Sequence, residues 1–293
     1  MKRLKDLLDA KIMVIAIAFF TVFTFLSSQV QLNSKVLTDA VFTEGIEGPS
    51  VDKNGDLYLV NFNHEGSIGI IKKGNKAPKL FIDLPKGSIG NGIRFNAKNE
   101  MFVADYLGHK ILKIDITTKK ISVHAHDSLM NQPNDLTMMK NGIIFCSDPS
   151  WKNGNGKLWR VDLDGSTHLL SDNMGTTNGI EVSPNNKTLY VNESVQRNIW
   201  KFDVDSLGNI ANKTLLISFN DGGMDGMRCD SKGNLYVARY DKGCVLKISA
   251  EGKILYTYVL HGQKPTNLAF SNDEKKLFVT MQDMKWVEVI GLK

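Results

Sequence analysis

The stretch Gly222–Ile248, GGMDGMRCDSKGNLYVARYDKGCVLKI, decides the fold. A short apolar strand starts at Asp225-Gly226, and a turn follows at Asp230-Ser231-Lys232-Gly233. A second strand, Asn234–Ala238, runs to a polar turn at Asp241-Lys242-Gly243, and a third, Cys244–Ile248, leads towards the next turn. Strands of about five residues punctuated by Gly, Asp, Asn and Ser make an antiparallel meander.

The chain repeats this unit. Copies start at Glu47-Gly48-Pro49, Asn91-Gly92-Ile93, Asn134-Asp135-Leu136, Asn178-Gly179-Ile180, Asp225-Gly226-Met227 and Thr266-Asn267-Leu268, at spacings of 44, 43, 44, 47 and 41 residues. Each start leads through a turn to an apolar strand such as Leu57–Val60, Met101–Ala104 or Leu277–Thr280. A period in the low forties with several short strands per repeat is propeller spacing. Each unit cannot bury its faces alone, so the units pack radially. The pattern predicts an all-β, six-bladed β-propeller over 35–293, with the strand-like Lys35–Phe42 covering the edge of the last blade.

The totals suit one large domain: 293 residues, 42% hydrophobic and 23% charged. Of the formal charge of +5, residues 1–34 contribute +2 and the remainder +3, without a Lys/Arg run. Nucleic acid is therefore not an expected partner. Three cysteines without CxxC spacing read as small buried hydrophobes, with a Cys229–Cys244 bridge left open. Ahead of the repeats, Ile12–Leu26 is uncharged and strongly apolar behind a Lys-rich start. Residues 1–34 thus read as a signal peptide or N-terminal transmembrane anchor, which places the rest of the chain outside the cytoplasm, in the periplasm or beyond the cell.

In a propeller the innermost strands line the central channel, so equivalent positions form a ring at its mouth. Here the ring is Glu47, Asn91, Asn134, Asn178, Asp225 and Thr266, each with a side-chain oxygen. Oxygen-rich donors with two carboxylates suit Ca²⁺, and the lack of His and Cys argues against zinc or copper. Asn-Gly and Asp-Gly are also ordinary turn pairs, and any one of the six alone reads as turn chemistry.

The segments EGPSVDKNGDLYLV, QPNDLTMM, TNGIEVSP and GGMDGMRCDSKGNLYVA resemble the senescence marker protein/gluconolactonase/luciferin-regenerating enzyme family, over Thr43 to about Val289. The resemblance implies one catalytic divalent ion, usually Ca²⁺, in the channel of a six-bladed propeller. It implies Glu47, Asn134, Asn178 and Asp225 as the metal ligands, and Asn91 as a polar substrate contact. Two departures stand out from the family's fluorophosphatase branch. Gln282 replaces a histidine after the sixth blade's second strand, and Arg228 and Ala269 replace the ligands of a second, structural calcium.

These residues lead to the expectation of a metal-dependent hydrolase of lactones or related esters, monomeric, with Asp225 as general base or nucleophile and Glu47 as the charge-balancing ligand. The second-strand ends would wall the pocket, with Asp148, Arg239 and Gln282 as substrate contacts. The six histidines fall in turns or outer strands and GxSxG is absent, which disfavours a serine hydrolase. A non-catalytic binding module, a calcium-stabilised envelope propeller and a phosphotriesterase are the competing readings.

Overall fold

A computed structural model describes residues 33–292. The expected signal peptide or anchor lies, apart from its last two residues, outside the described residues. Among the described residues no helix is long and apolar enough to cross a membrane.

Twenty-four strands form six four-stranded antiparallel sheets. Blade 1 comprises Phe42–Val51, Leu57–Phe62, Ser67–Ile71 and Lys79–Asp83, from the channel outwards. Blade 2 starts at Gly90–Phe95, blade 3 at Leu136–Met138, blade 4 at Thr177–Val182, blade 5 at Met227–Cys229 and blade 6 at Pro265–Phe270. These inner strands touch one another in a closed circle, blade 6 against blade 1. The six-bladed propeller is the observed fold.

Both faces of each middle strand are buried, which explains why those strands read as continuous apolar runs. In blade 1, Leu57 and Leu59 pack towards blade 6 with Ala269 and Val287, while Tyr58 and Val60 pack towards blade 2 with Ile93 and Val103. Six such clusters, one per blade junction, constitute the core. Cys146 packs in the junction of blades 2 and 3, and all three cysteines are free thiols, Cys229 and Cys244 included.

Closure is made by a strand from the start of the domain. Ser34–Val36 pairs antiparallel with Trp286–Gly291 as the outermost strand of blade 6. The expected Lys35–Phe42 strand is broken in two: the chain turns at Asp39, whose carbonyl accepts from Val41 N at 3.0 Å, and Phe42 already belongs to the inner strand of blade 1. A buried carboxylate locks the closure. Glu288 accepts hydrogen bonds from Ser34 Oγ, the amides of His261 (3.1 Å) and Gly262 (3.2 Å), and Trp286 Nε1 (3.2 Å).

Candidate active site

Around the ring positions the regular pairing between a blade's first and second strands is disturbed. Register shifts span Asn91, Asn178 and Thr266 in blades 2, 4 and 6, and in blade 1 they flank Glu47, which pairs with Val60. In blades 3 and 5 the inner strand resumes only after Asn134 and Asp225. Such bulges re-aim a side chain that regular pairing would hold in the blade. All six ring residues line one cavity of about 440 Å³ at the channel mouth.

The residue after each ring position has a different task. A Cβ on Gly48 would stand 2.0 Å from Asn91 O, and one on Gly226 would stand 2.0 Å from the Asn267 side chain. The Gly of these pairs is therefore set by the close approach of adjacent inner strands, reinforced at Gly48 by a left-handed φ of 57°. Blades 3 and 6 carry Asp135 and Asn267 at this position instead, and their side chains meet in the channel at 3.3 Å.

On the cavity floor the Glu47 and Asp225 carboxyl groups are electrostatic neighbours, with Asn178 lining the same cavity. Burial, and then the charge of Asp135, push the Glu47 carboxyl up to about 7. Burial and the neighbouring Glu47 hold Asp225 well above the usual carboxylate range. Glu47 Oε2 accepts from Gly48 N at 2.6 Å and Asn267 Nδ2 at 2.9 Å, which fixes its rotamer. Beside this pair, Asn134 Oδ1 and Asn178 Oδ1 are buried acceptors without a donor. A buried amide oxygen left alone is costly, so this pair of orphans marks where a ligand belongs. Two carboxylates and two amide oxygens fit a hard divalent cation. Among the described residues no array of three or more His, Cys, Asp or Glu is placed to hold a metal; here amides complete the donor set.

Beneath the floor the channel is filled by charge. Arg94 Nη2 stands 3.1 Å from Asp135 Oδ1 and 3.8 Å from Glu181 Oε2, and Arg228 Nη1 stands 3.4 Å from Asp135 Oδ2. Glu181 is steadied by Cys229 N at 3.2 Å and Thr137 Oγ1 at 3.2 Å. Sequence reading missed Arg94, Asp135, Glu181 and Asn267 as parts of the site. The signal was present in the second residues of the copies, where NDL and TNL break the X-Gly pattern, and in the fourth, where NGIR and NGIE carry charge.

Residues 46–283 match the model of the SMP-30/Gluconolactonase/LRE-like region. The chain belongs to this family. It is 28% identical over 275 residues to a gluconolactonase of Zymomonas mobilis, covering 80% of this chain and 75% of that one. It is 27% identical over 271 residues to the diisopropyl-fluorophosphatase of Loligo vulgaris, covering 80% and 85%. The solved structure of a calcium-binding protein, regucalcin, from Agrobacterium tumefaciens superposes with a TM-score of 0.78 at 21% identity, over 89% of this chain and 94% of that one.

In this member of the SMP-30/gluconolactonase/LRE-like family the cavity walls depart from the expected ones. Asn61 and Gln282 line the cavity, and Gln282 Oε1 accepts from the Tyr240 hydroxyl. Asp148 and Arg239, expected as substrate contacts, stand outside the lining and hold backbone. Asp148 accepts from the amides of Asn131 (3.0 Å) and Gln132 (2.5 Å) and from Trp159 Nε1 at 2.8 Å. Arg239 donates to Asp221 O at 2.6 Å and Gly223 O at 3.3 Å, and stacks on Phe219 with 3.7 Å to the ring centroid. In blades 2 to 5 a side chain near the end of the second strand ties down the loop that enters its own inner strand. Asp105 takes Ile89 N at 3.0 Å and Glu193 takes Gly175 N at 2.8 Å in the same way. The walls missed by sequence reading are Glu44, Glu65, Tyr106, Gln132, Trp151 and Tyr240.

Proposed function

We propose that this chain is a Ca²⁺-dependent hydrolase of lactones or related esters, with Glu47, Asn134, Asn178 and Asp225 holding the ion. The observation that supports it most directly is the pairing of two mutually repelling carboxyl groups with two donorless buried amide oxygens on one cavity floor. Bound there, a divalent cation supplies Lewis-acid polarisation of a carbonyl oxygen and acidifies water. The gluconolactonase relative, matched over most of both chains, favours a lactone carbonyl.

The chain's own residues then divide the work. Glu47 is pinned by two hydrogen bonds and balances charge. Asp225 has its backbone carbonyl fixed by Asn192 Nδ2 at 2.6 Å, so its carboxyl is held at the cavity floor as the group that accepts a proton from the attacking water, or attacks itself. Asn91, whose Nδ2 donates to Asn134 O at 3.2 Å, presents its amide oxygen to substrate from the neighbouring blade. Trp151 and the tyrosines 106 and 240 offer flat apolar surface to a ring-shaped substrate. The charge-flanked apolar stretch Ile12–Leu26 supports an exported location.

The test is lactone turnover by wild type, Asp225→Asn and Glu47→Gln, each with calcium and with chelator. Turnover that needs calcium and drops at least about a hundredfold in Asp225→Asn is expected, the loss typical of a general base. Absence of turnover on lactones, aryl esters and phosphotriesters alike leaves only a binding propeller. The resemblance to the squid enzyme supports a phosphotriester alternative, but Gln282 is engaged with Tyr240 and no histidine among the described residues lines the cavity.

A further inference from the structure

We propose that Glu65 makes this pocket charge-selective: it admits neutral, hydroxyl-bearing substrates and turns anionic ones away. This goes beyond the hydrolase reading and rests on it for its assay. Four carboxylate residues line the cavity, Glu44, Glu47, Glu65 and Asp225, and no Lys or Arg does. Glu47 and Asp225 are the pair that a divalent ion would balance. Glu44 is balanced otherwise, by Lys285 Nζ at 3.3 Å from its Oε1. Among the described residues, Glu65 alone of the four is left without a cation.

Its placement gives that charge effect. Glu65 lies on the turn between the second and third strands of blade 1 and folds back over Gly45, two residues before Glu47. A Cβ on Gly45 would stand 3.0 and 3.2 Å from the two Glu65 carboxylate oxygens. Thr43 Oγ1 donates to one of these oxygens, which orients the carboxylate towards the cavity. On the adjacent blade 2, the Tyr106 phenol is raised by burial and by the Glu65 charge, so the field of Glu65 reaches the neighbouring wall. A substrate therefore meets two acceptors, the Glu65 carboxylate and the Asn91 amide oxygen. Hydroxyl groups suit both, and a carboxylate, sulfonate or phosphate near Glu65 suits neither. Arg239, the guanidinium expected to receive an anion, is turned to Asp221 at 3.1 Å. Lys264 stands over the Tyr240 ring at 5.6 Å and does not line the cavity.

The experiment compares kcat/KM for glucono-δ-lactone and for a sugar lactone carrying a free carboxylate, in wild type, Glu65→Gln and Glu65→Lys, with metal content matched. Unit charges several ångströms apart at a protein surface shift such ratios by about tenfold each. Wild type should prefer the neutral lactone by about tenfold or more. Glu65→Gln should shrink that preference several-fold, and Glu65→Lys should bring the two substrates level or invert them. Without any variant, added salt should raise kcat/KM for the anionic lactone more than for the neutral one. Ratios that stay within twofold across the three proteins, or a wild type that prefers the anion, overturn the selectivity while neutral-lactone turnover keeps the hydrolase reading intact. A wild type that turns over neither lactone overturns both.

Discussion

The Glu47 carboxyl supplies a measurable link between pH, metal and stability. Its folded value of about 7 lies above the ordinary 4.5, because burial and the charge of Asp135 oppose ionisation. Between those two values the folded protein holds a proton that the unfolded chain has released. Native binding of more protons means that stability falls as pH rises through the window. Below 4.5 both states are protonated and nothing is lost; above 7 both are ionised and the full penalty applies. A change from 4.5 to about 7 corresponds to roughly 3 kcal/mol. For a domain of this size that is about 6–12 °C in Tm. The raised Asp225 acts in the same direction.

Thermal unfolding of chelator-treated protein should therefore give a lower Tm at pH 8 than at pH 5. Calcium should restore the difference at pH 8 and do little at pH 5, where the proton already neutralises the site. Other acids pull the opposite way: Asp56, for all the burial that opposes its charge, is held below its usual range by Lys72. The decisive quantity is thus wild type minus Glu47→Gln. That variant should lose most of the pH slope and gain stability without metal at pH 8. A pH-flat difference, or a calcium shift of equal size in Glu47→Gln with Asp225→Asn, refutes the coupling.

Four further outcomes follow from the structure. Gly226→Ala places a Cβ 2.0 Å from Asn267, and should cost about 3 kcal/mol or more in urea unfolding while weakening calcium binding. Asp135→Ala strips Arg94 and Arg228 of their shared carboxylate, and should destabilise by about 3–5 kcal/mol, read from the shift of the denaturation midpoint. Glu288→Gln should cost about 2 kcal/mol, the scale of hydrogen bonds to a charged acceptor, and open the closing strand to early amide exchange. Asp148→Ala should raise KM more than it lowers kcat in a lactone assay, because it frees the Asn131–Gln132 loop beside Asn134 without touching the cavity.

What the sequence disclosed is what the fold repeats. Each blade places its ring residue at the same point of its repeat, at the channel mouth, so a spacing in the low forties was enough to collect Glu47, Asn91, Asn134, Asn178, Asp225 and Thr266 into one set. The walls do not repeat. Asp148 lies near the end of its blade's second strand and Gln282 just beyond the end of its own, yet one turns back to its loop amides and the other faces the cavity. That choice depends on the conformation of the incoming loop, which has no period to read. Glu65 was invisible for the same reason, since only the fold of its turn over Gly45 brings it to the mouth.

The channel charge was legible in part. The resemblance already singled out Arg228 and Ala269 as replacing the ligands of a second calcium. The structure adds the partners. Glu47, Asp225, Asp135 and Glu181 bring four carboxyl groups into the channel, and Arg94 and Arg228 bring two guanidiniums among them. Burial, and then the charge of Arg228, lower Arg94 to about 10, which still leaves it a cation at neutral pH. Asp135 and Glu181 are thereby balanced within the protein. The two carboxyl groups left over, Glu47 and Asp225, both lie at the mouth, where under the proposed reading one divalent ion would balance them. Without the arginines, four carboxylates would call for two such ions. With them, the chain itself fills the lower position with fixed positive charge and leaves the upper one, beside the open cavity, as the place where a metal and a substrate can meet.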